Sequence, residues 1–367
     1  MHLVFVVAAT ALLAAQTTAD STWRFAVSGD SRNCGNVVMP SIAAGAKKNG
    51  AVFYWHLGDL RATAEPDEDY KAEPEHRRDI VINKNEYLAD EWNDFIRSQI
   101  TPFDPLPLFL GIGNHEVVSP KTKPEFVAQF KQWLSAPALE KQRAADAWDK
   151  GPRPRTYYHW IQGGIDFIYL DNSTPDEFDP QQVKWFENVL RHASGNTAVQ
   201  AVIVGMHKAL PESLSASHSM NETPVGISTG HRVYADLLKF KRNTRKPVYV
   251  LASHSHFFMS DIFETDYWKM HGGVLPGWIV GTAGAFRYVL PPAADRAKEK
   301  KTKVYGFLLG TVHPGGKVDF TFQEIQRGDV LDAVTQRYGP QFVDYCFDQN
   351  ADPAIGGATT ARPPAAK

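Results

Sequence analysis

Seven side chains able to bind metal or move protons stand at the ends of apolar runs: Asp30, Asp59, Asn114, His115, His207, His254 and His256. Imidazole and carboxylate together suit zinc, iron, manganese or nickel, and the set offers no thiolate. A carboxylate shared between two cations holds them roughly 3.5–4 Å apart, and such a pair clamps the entering and leaving oxygens of an in-line displacement. Phosphoryl transfer needs mainly that positioning and charge neutralisation. Taken singly, each residue has a plainer reading. Gly-Asp after a strand is usually a turn, Asn114 alone would cap a helix, and a lone His207 would pack or face solvent. His254 and His256 are less ordinary, because residues two apart in an extended segment share a face.

The elements that must position these groups follow one pattern. The run 23–28 (WRFAVS) ends at Gly29-Asp30, and 52–57 (VFYWHL) ends at Gly58-Asp59. The run 106–112 (LPLFLGI) leads to Gly113-Asn114-His115-Glu116, 199–204 (VQAVIV) to Gly205-Met206-His207, and 248–251 (VYVL) to Ser253-His254-Ser255-His256. A further strand, 165–170 (IDFIYL), ends at Asp171-Asn172, which reads as a turn or as support behind the ligands. Helical spacing is predicted over 37–48, 87–99, 126–134, 180–192 and 231–241, and strands over 278–281, 305–312 and 317–323. Such alternation makes an α/β protein with buried sheets. Ligands in such folds collect at the carboxyl ends of strands, where glycine permits a sharp turn. The charged stretch 61–84 and the mixed-charge stretch 137–155 are predicted as surface loops, the first as a rim to the site. His56 is expected to be structural, and His218 and His231 flank a segment, 211–230, that follows His207.

The chain has 367 residues, 43% hydrophobic and 12% aromatic, with a formal net charge of -2. Neither a basic excess for nucleic acid nor an acidic excess for disorder is present. Residues 3–15 are apolar except Thr10, and Gln16-Thr17-Thr18-Ala19 follows. The run has the length of a signal-peptide core, with cleavage predicted before Asp20, although only His2 stands where basic residues are usual; an uncleaved anchor is the alternative. An exported protein without stable membrane insertion is therefore expected, organised as a signal peptide 1–19, one domain 20–350 and a disordered tail 351–367. Export permits a disulfide between Cys34 and Cys346; two unpaired thiols are the other reading.

The ordered set Gly29-Asp30-Ser31-Arg32, Gly58-Asp59, Gly113-Asn114-His115-Glu116, Gly205-Met206-His207 and His254-Ser255-His256 resembles the calcineurin-like metallophosphoesterase superfamily, which includes the purple acid phosphatases. The resemblance covers roughly residues 23–325. It implies a four-layer α/β/β/α sandwich of two mixed sheets flanked by helices. It also implies two divalent transition metals, with Asp59 as bridge. Asp30 and His256 would hold the first metal, and Asn114, His207 and His254 the second. His115 would contact the phosphate or protonate the leaving oxygen, and a metal-bound hydroxide would attack phosphorus in a phosphomonoester or phosphodiester.

Three positions depart from the pattern. Arg32 stands where many members have histidine, Ala62 where purple acid phosphatases have tyrosine, and Ser253 where glycine is usual. Arg32 cannot ligate a metal; it either grips a phosphate oxygen as a planar fork or faces solvent. Two alternatives to a small-molecule phosphoesterase stay open. One is an extracytoplasmic nuclease or nucleotide hydrolase, for which Arg143, Lys150, Arg153 and Arg155 would supply charge. The other is a catalytically impaired binding protein.

Overall fold

A computed structural model describes residues 21–76, 81–173 and 177–350. The predicted signal peptide and tail lie outside the described residues.

The strands are β1 (Trp23–Ser28), β2 (Ala51–His56), β3 (Leu108–Leu110), β4 (Tyr158–Gln162), β5 (Ile165–Leu170), β6 (Ala201–Met206), β7 (Val248–Ala252), β8 (Phe258–Ser260), β9 (Gly277–Val280), β10 (Lys300–Lys301), β11 (Tyr305–Val312) and β12 (Val318–Ile325). They form two mixed sheets, ordered β12-β11-β1-β2-β3 and β10-β8-β9-β7-β6-β5-β4. The ligand-bearing strands are the parallel ones: β1 pairs with β2 and β2 with β3 in one sheet, β5 with β6 and β6 with β7 in the other.

Side chains alternate across each strand, so a strand buried on both faces reads as a continuous apolar run. On β5, Ile165, Phe167 and Tyr169 join the core between the sheets, while Ile168 and Leu170 join the core under the outer helices. β6 and β7 divide in the same way, with Ile203 and Leu251 inward and Val204 and Val250 outward. The layer between the sheets is largely aromatic. Phe25 stacks on Phe53 with ring centroids 5.4 Å apart, and Phe167 meets both edge-on. Trp160 stacks between Phe109 at 3.9 Å and Phe167 at 4.8 Å.

Helices Pro180–Gly195 and Pro224–Thr244 cover the outer face of the seven-stranded sheet, each with proline in the first turn and an N-cap (Asp179, Thr223) whose side chain accepts a backbone N–H. Helix Gly35–Lys48 packs Val38 and Ile42 against the five-stranded sheet. Cys34, just before it, is disulfide-bonded to Cys346 in the helix Pro340–Asp348. Among the described residues no helix is long and apolar enough to cross a membrane.

Two sequence expectations need correction. The stretch 61–84 is not simply a surface loop: Arg61, Asp67, Asp69, Tyr70 and Glu73 are buried. Its charges neutralise one another, and composition alone does not reveal such pairing. In 137–155, residues Pro137–Ala145 form a helix opened by its own proline. Smaller differences are a helical stretch broken at Phe130 and a third strand confined to three residues.

Candidate metal centre

Five parallel-strand ends deliver the seven residues. Asp30 follows β1, Asp59 follows β2, Asn114 and His115 follow β3, His207 follows β6, and His254 and His256 follow β7. Three of these residues adopt the left-handed region: Asp30 at φ 62°, Asp59 at φ 58° and His254 at φ 64°. Each such residue is strained by on the order of 1 kcal/mol or more, so neighbours must hold it in place. Asp30 N–H donates to Gly58 O (2.9 Å) and Ser31 N–H to Asp59 O (3.0 Å), tying the first two motif loops together. His254 N–H donates to Asp30 Oδ2 at 2.7 Å. Gly113 permits the closest approach, since a Cβ there would collide with the Asp59 carboxylate.

The side chains converge. One ligand atom each from Asp30, Asp59, His207 and His254 lies within 4.8 Å of the others. His207 gives the clearest reading. Its Nδ1–H donates to Leu57 O at 3.1 Å, so in a neutral ring Nε2 carries only a lone pair. That lone pair faces Asp59 Oδ1 at 3.2 Å and Asn114 Oδ1 at 3.0 Å, and His254 Nδ1 lies 3.1 Å away, donor or acceptor according to its tautomer. Lone pairs directed at a common point repel unless a proton or a metal cation lies among them. Without a metal a proton takes that place: burial opposes charging His207, but Asp59 outweighs it and its pKa is pushed up to about 9. The same fully buried group leaves Asp30 Oδ1 and Asp59 Oδ2 without any hydrogen-bond donor, although a buried carboxylate oxygen normally has one. Burial also opposes ionising Asp59, yet His207, His115 and Arg32 hold its carboxyl well below the usual range. The donor set therefore fits a hard or borderline divalent cation.

His256 and His115 stand on the other side of Asp59, and Arg32 lies with them. His256 Nδ1–H donates to Phe286 O at 2.6 Å, and its Nε2 lies 3.2 Å from Asp30 Oδ1. His115 Nδ1–H donates to Ala62 O at 2.8 Å, and its backbone N–H to Asp59 Oδ1 at 3.0 Å. Arg32 Nη1 donates to His115 Nε2 at 2.6 Å, Arg32 Nη2 to His256 Nε2 at 3.1 Å, and Arg32 Nε lies 3.6 Å from Asp59 Oδ2. The guanidinium thus points inward, with its side chain 13% exposed, and does not face solvent. Burial, then the Arg32 charge, lowers the His115 pKa.

Further residues support these loops, and the role of Glu116 among them is one the sequence reading did not assign. Glu116 is fully buried and accepts the backbone N–H groups of Asp59 (2.9 Å), Leu60 (2.8 Å) and Gly113 (2.7 Å), locking the second motif loop to the third. Its place in the Gly-Asn-His-Glu run was the available signal. Ser253 Oγ donates to Leu57 O at 3.1 Å, which a glycine could not do. Asn172 takes both backbone groups of Lys208, fixing the turn after His207. His56 is structural: its Nδ1 accepts from Gly58 N–H and its Nε2–H meets Ser31 Oγ, while burial lowers its pKa to about 3. His218 lies beside the centre, its ring 5.8 Å from that of His254. His231 packs instead on Tyr267 and Trp268. Of the basic residues in 143–155, Arg155 binds both oxygens of Asp149, Arg143 pairs with Glu140, and Arg153 donates to two backbone carbonyls.

No protein-family model matches the sequence, and no curated relative does. Solved structures do match. The purple acid phosphatase PPD1 from yellow lupin (Lupinus luteus) seeds superposes with a TM-score of 0.57 at 16% identity, over 86% of this chain and 54% of that one. This chain therefore spans about half the length of the lupin enzyme. PhoD superposes with a TM-score of 0.53 at 13% identity, over 85% of this chain and 73% of that one. At such identities a likeness speaks for architecture alone. With its two mixed sheets, flanking helices and buried Asp/His cluster, the chain has the calcineurin-like metallophosphoesterase fold.

Proposed function

We propose that this protein is a metal-dependent hydrolase of phosphate esters acting outside the cytoplasm. The observation that carries the reading is His207 Nε2, faced by the Asp59 and Asn114 oxygens beside two buried carboxylate oxygens that lack donors. Asp30, Asp59, Asn114, His207 and His254 would hold the cation, with His256 on the far side of Asp59. A divalent cation there neutralises phosphate charge and makes water acidic enough to attack near neutral pH.

The protein's own residues supply the rest. Their strand-end placement and left-handed backbones fix the donors before substrate arrives, so little reorganisation remains. Arg32 presents a planar fork at the mouth of the centre. A phosphate oxygen that takes over the Arg32 Nη1 donor frees the His115 Nε2 lone pair, which takes a proton from solvent and passes it to the leaving oxygen. The Ala62 carbonyl keeps the His115 ring in the orientation this needs. The fold shared with a purple acid phosphatase supports phosphate esters as substrates, and the pairing of Arg143 with Glu140 and of Arg155 with Asp149 weighs against a nucleic-acid groove. The Cys34–Cys346 disulfide supports an oxidising compartment.

One observation favours the second reading, a binding protein without turnover: Arg32 already takes the lone pairs of both His115 and His256. The assay that separates the two uses the protein purified without chelator and supplied with Zn(II), Mn(II) or Fe(II). Hydrolysis of an aryl phosphate or its diester is expected. His115→Ala should lower turnover by roughly 10²–10⁴-fold, the usual worth of a general acid, with metal content unchanged. Metal-loaded protein inert toward both compounds would leave only the binding reading.

A further inference from the structure

The two sides of the Asp59 carboxylate are built differently. On the His207 side the Asp59, Asn114 and His254 atoms gather around His207 Nε2 at 3.0–3.2 Å. On the His256 side a cation is already present, attached to the chain. We propose that the Arg32 guanidinium is the permanent second cation of this centre, so that the native site takes one divalent metal where the resemblance implies two. The inference rests on reading the Asp/His cluster as a metal centre.

Lone-pair accounting carries the argument. A neutral imidazole has one lone pair. His256 spends its Nδ1–H on Phe286 O, so Nε2 is its sole acceptor, and Arg32 Nη2 takes it at 3.1 Å. His115 spends its Nδ1–H on Ala62 O, and Arg32 Nη1 takes Nε2 at 2.6 Å. A metal ligated by His256 would require the same electrons, so the two occupants exclude each other. Arg32 Nε, buried and without a hydrogen-bond partner, lies 3.6 Å from Asp59 Oδ2, a carboxylate oxygen that also lacks a donor. The guanidinium therefore stands among the carboxylate and imidazole that would define a first-metal position, and it carries a charge that does not dissociate.

Arg32 is also held there from both sides along the chain. Ser31 N–H donates to Asp59 O, Asn33 N–H donates to Asp67 Oδ1 at 2.8 Å, and Cys34 is bonded to Cys346. Asp69 N–H closes the turn onto Asn33 O at 2.8 Å. The segment that follows Asp59 thus braces the Arg32 backbone and, through Ala62 O, the His115 ring.

The test counts metal in the folded, full-length protein. Wild type is loaded with excess Mn(II), passed through a desalting column, and assayed by elemental analysis and low-temperature electron paramagnetic resonance. One equivalent with the hyperfine pattern of isolated Mn(II) is expected. Arg32→His should double the content to two equivalents and give the broadened signal of exchange-coupled ions. Arg32→Gln, which keeps the length of the side chain without its charge, provides the same comparison if the histidine variant does not fold. Two equivalents in wild type would overturn the proposal and leave the metal centre standing. None in wild type would remove the metal centre itself. A single equivalent in a folded Arg32→His or Arg32→Gln protein would show that the guanidinium is not what excludes the second ion, and would also overturn it.

Discussion

A single residue, Leu60, separates Asp59 from Arg61, yet the clusters around them differ in kind. Arg61 is fully buried; its Nη1 donates to Asp69 Oδ1 at 2.7 Å and its Nη2 donates to Asn36 Oδ1 at 2.8 Å and pairs with Asp94. Every carboxylate oxygen in that cluster meets a donor or the guanidinium. Asp67 takes the N–H groups of Asn33 and Ala62 and the Tyr87 hydroxyl, Asp69 takes Asn36 N–H, and Asp94 takes Ser98 Oγ–H and the Asn36 amide. Around Asp59, by contrast, two carboxylate oxygens, Asp30 Oδ1 and Asp59 Oδ2, have no donor. Both clusters gather acids in a dry place. One was given its cation by the sequence, and the other was left with a deficit of positive charge. Orphaned acceptors, rather than acidic residues as such, mark where a ligand belongs.

The strongest challenge to this contrast is Arg61→Met. It strands three buried acids, and breaking a buried pair in this way destabilises by about 3–5 kcal/mol, to be read from urea unfolding. A loss below about 1 kcal/mol would mean that the cluster was not closed. Next in size is the response to metal. Saturating Mn(II) at roughly 100 times its dissociation constant should stabilise wild type by about 2.7 kcal/mol, and Asp59→Asn should abolish that gain. Retention of the full gain in Asp59→Asn would place the ion elsewhere. The smallest effect sharpens the comparison with a third cluster of the closed kind. His159 sits between Asp146 (2.7 Å) and Asp166 (2.8 Å); burial opposes its charge, but the two acids raise its pKa to about 9. Because the folded pKa lies above the unfolded one, this stability is complete below the unfolded value near 6.5 and disappears as pH rises through 9. A decline of about 2 kcal/mol is expected between about pH 7.5 and 9.5, from the relation between pKa shift and folding energy. It should be absent in His159→Gln.

Much of this was legible from the sequence. The runs before Asp30, Asp59, Asn114, His207 and His254 are apolar because their strands are covered on both faces, and glycine precedes four of the five motifs because the chain turns there. What stayed hidden was pairing. Nothing in the composition of 61–84 reveals that Arg61, Asp67 and Asp69 neutralise one another with Asp94 more than twenty residues on. Arg32 was open between phosphate and solvent for the same reason. Its partners, His115 and His256, are 83 and 224 residues away, and their free lone pairs are fixed by carbonyls at Ala62 and Phe286 that no motif records.

The bond between Cys34 and Cys346 also sets an order of events. The ribosome makes the first cysteine 312 residues before the second, so the turn bearing Asp30 and Arg32 lacks its covalent tie through almost the whole of synthesis. Only after the helix Pro340–Asp348 docks and oxidation occurs does that tie join the hydrogen bonds to Asp59, Asp67 and Asp69 that hold the turn. A polypeptide kept in a reducing milieu would hold the Arg32 turn by hydrogen bonds alone, so the rigidity of that turn depends on the redox state around the molecule.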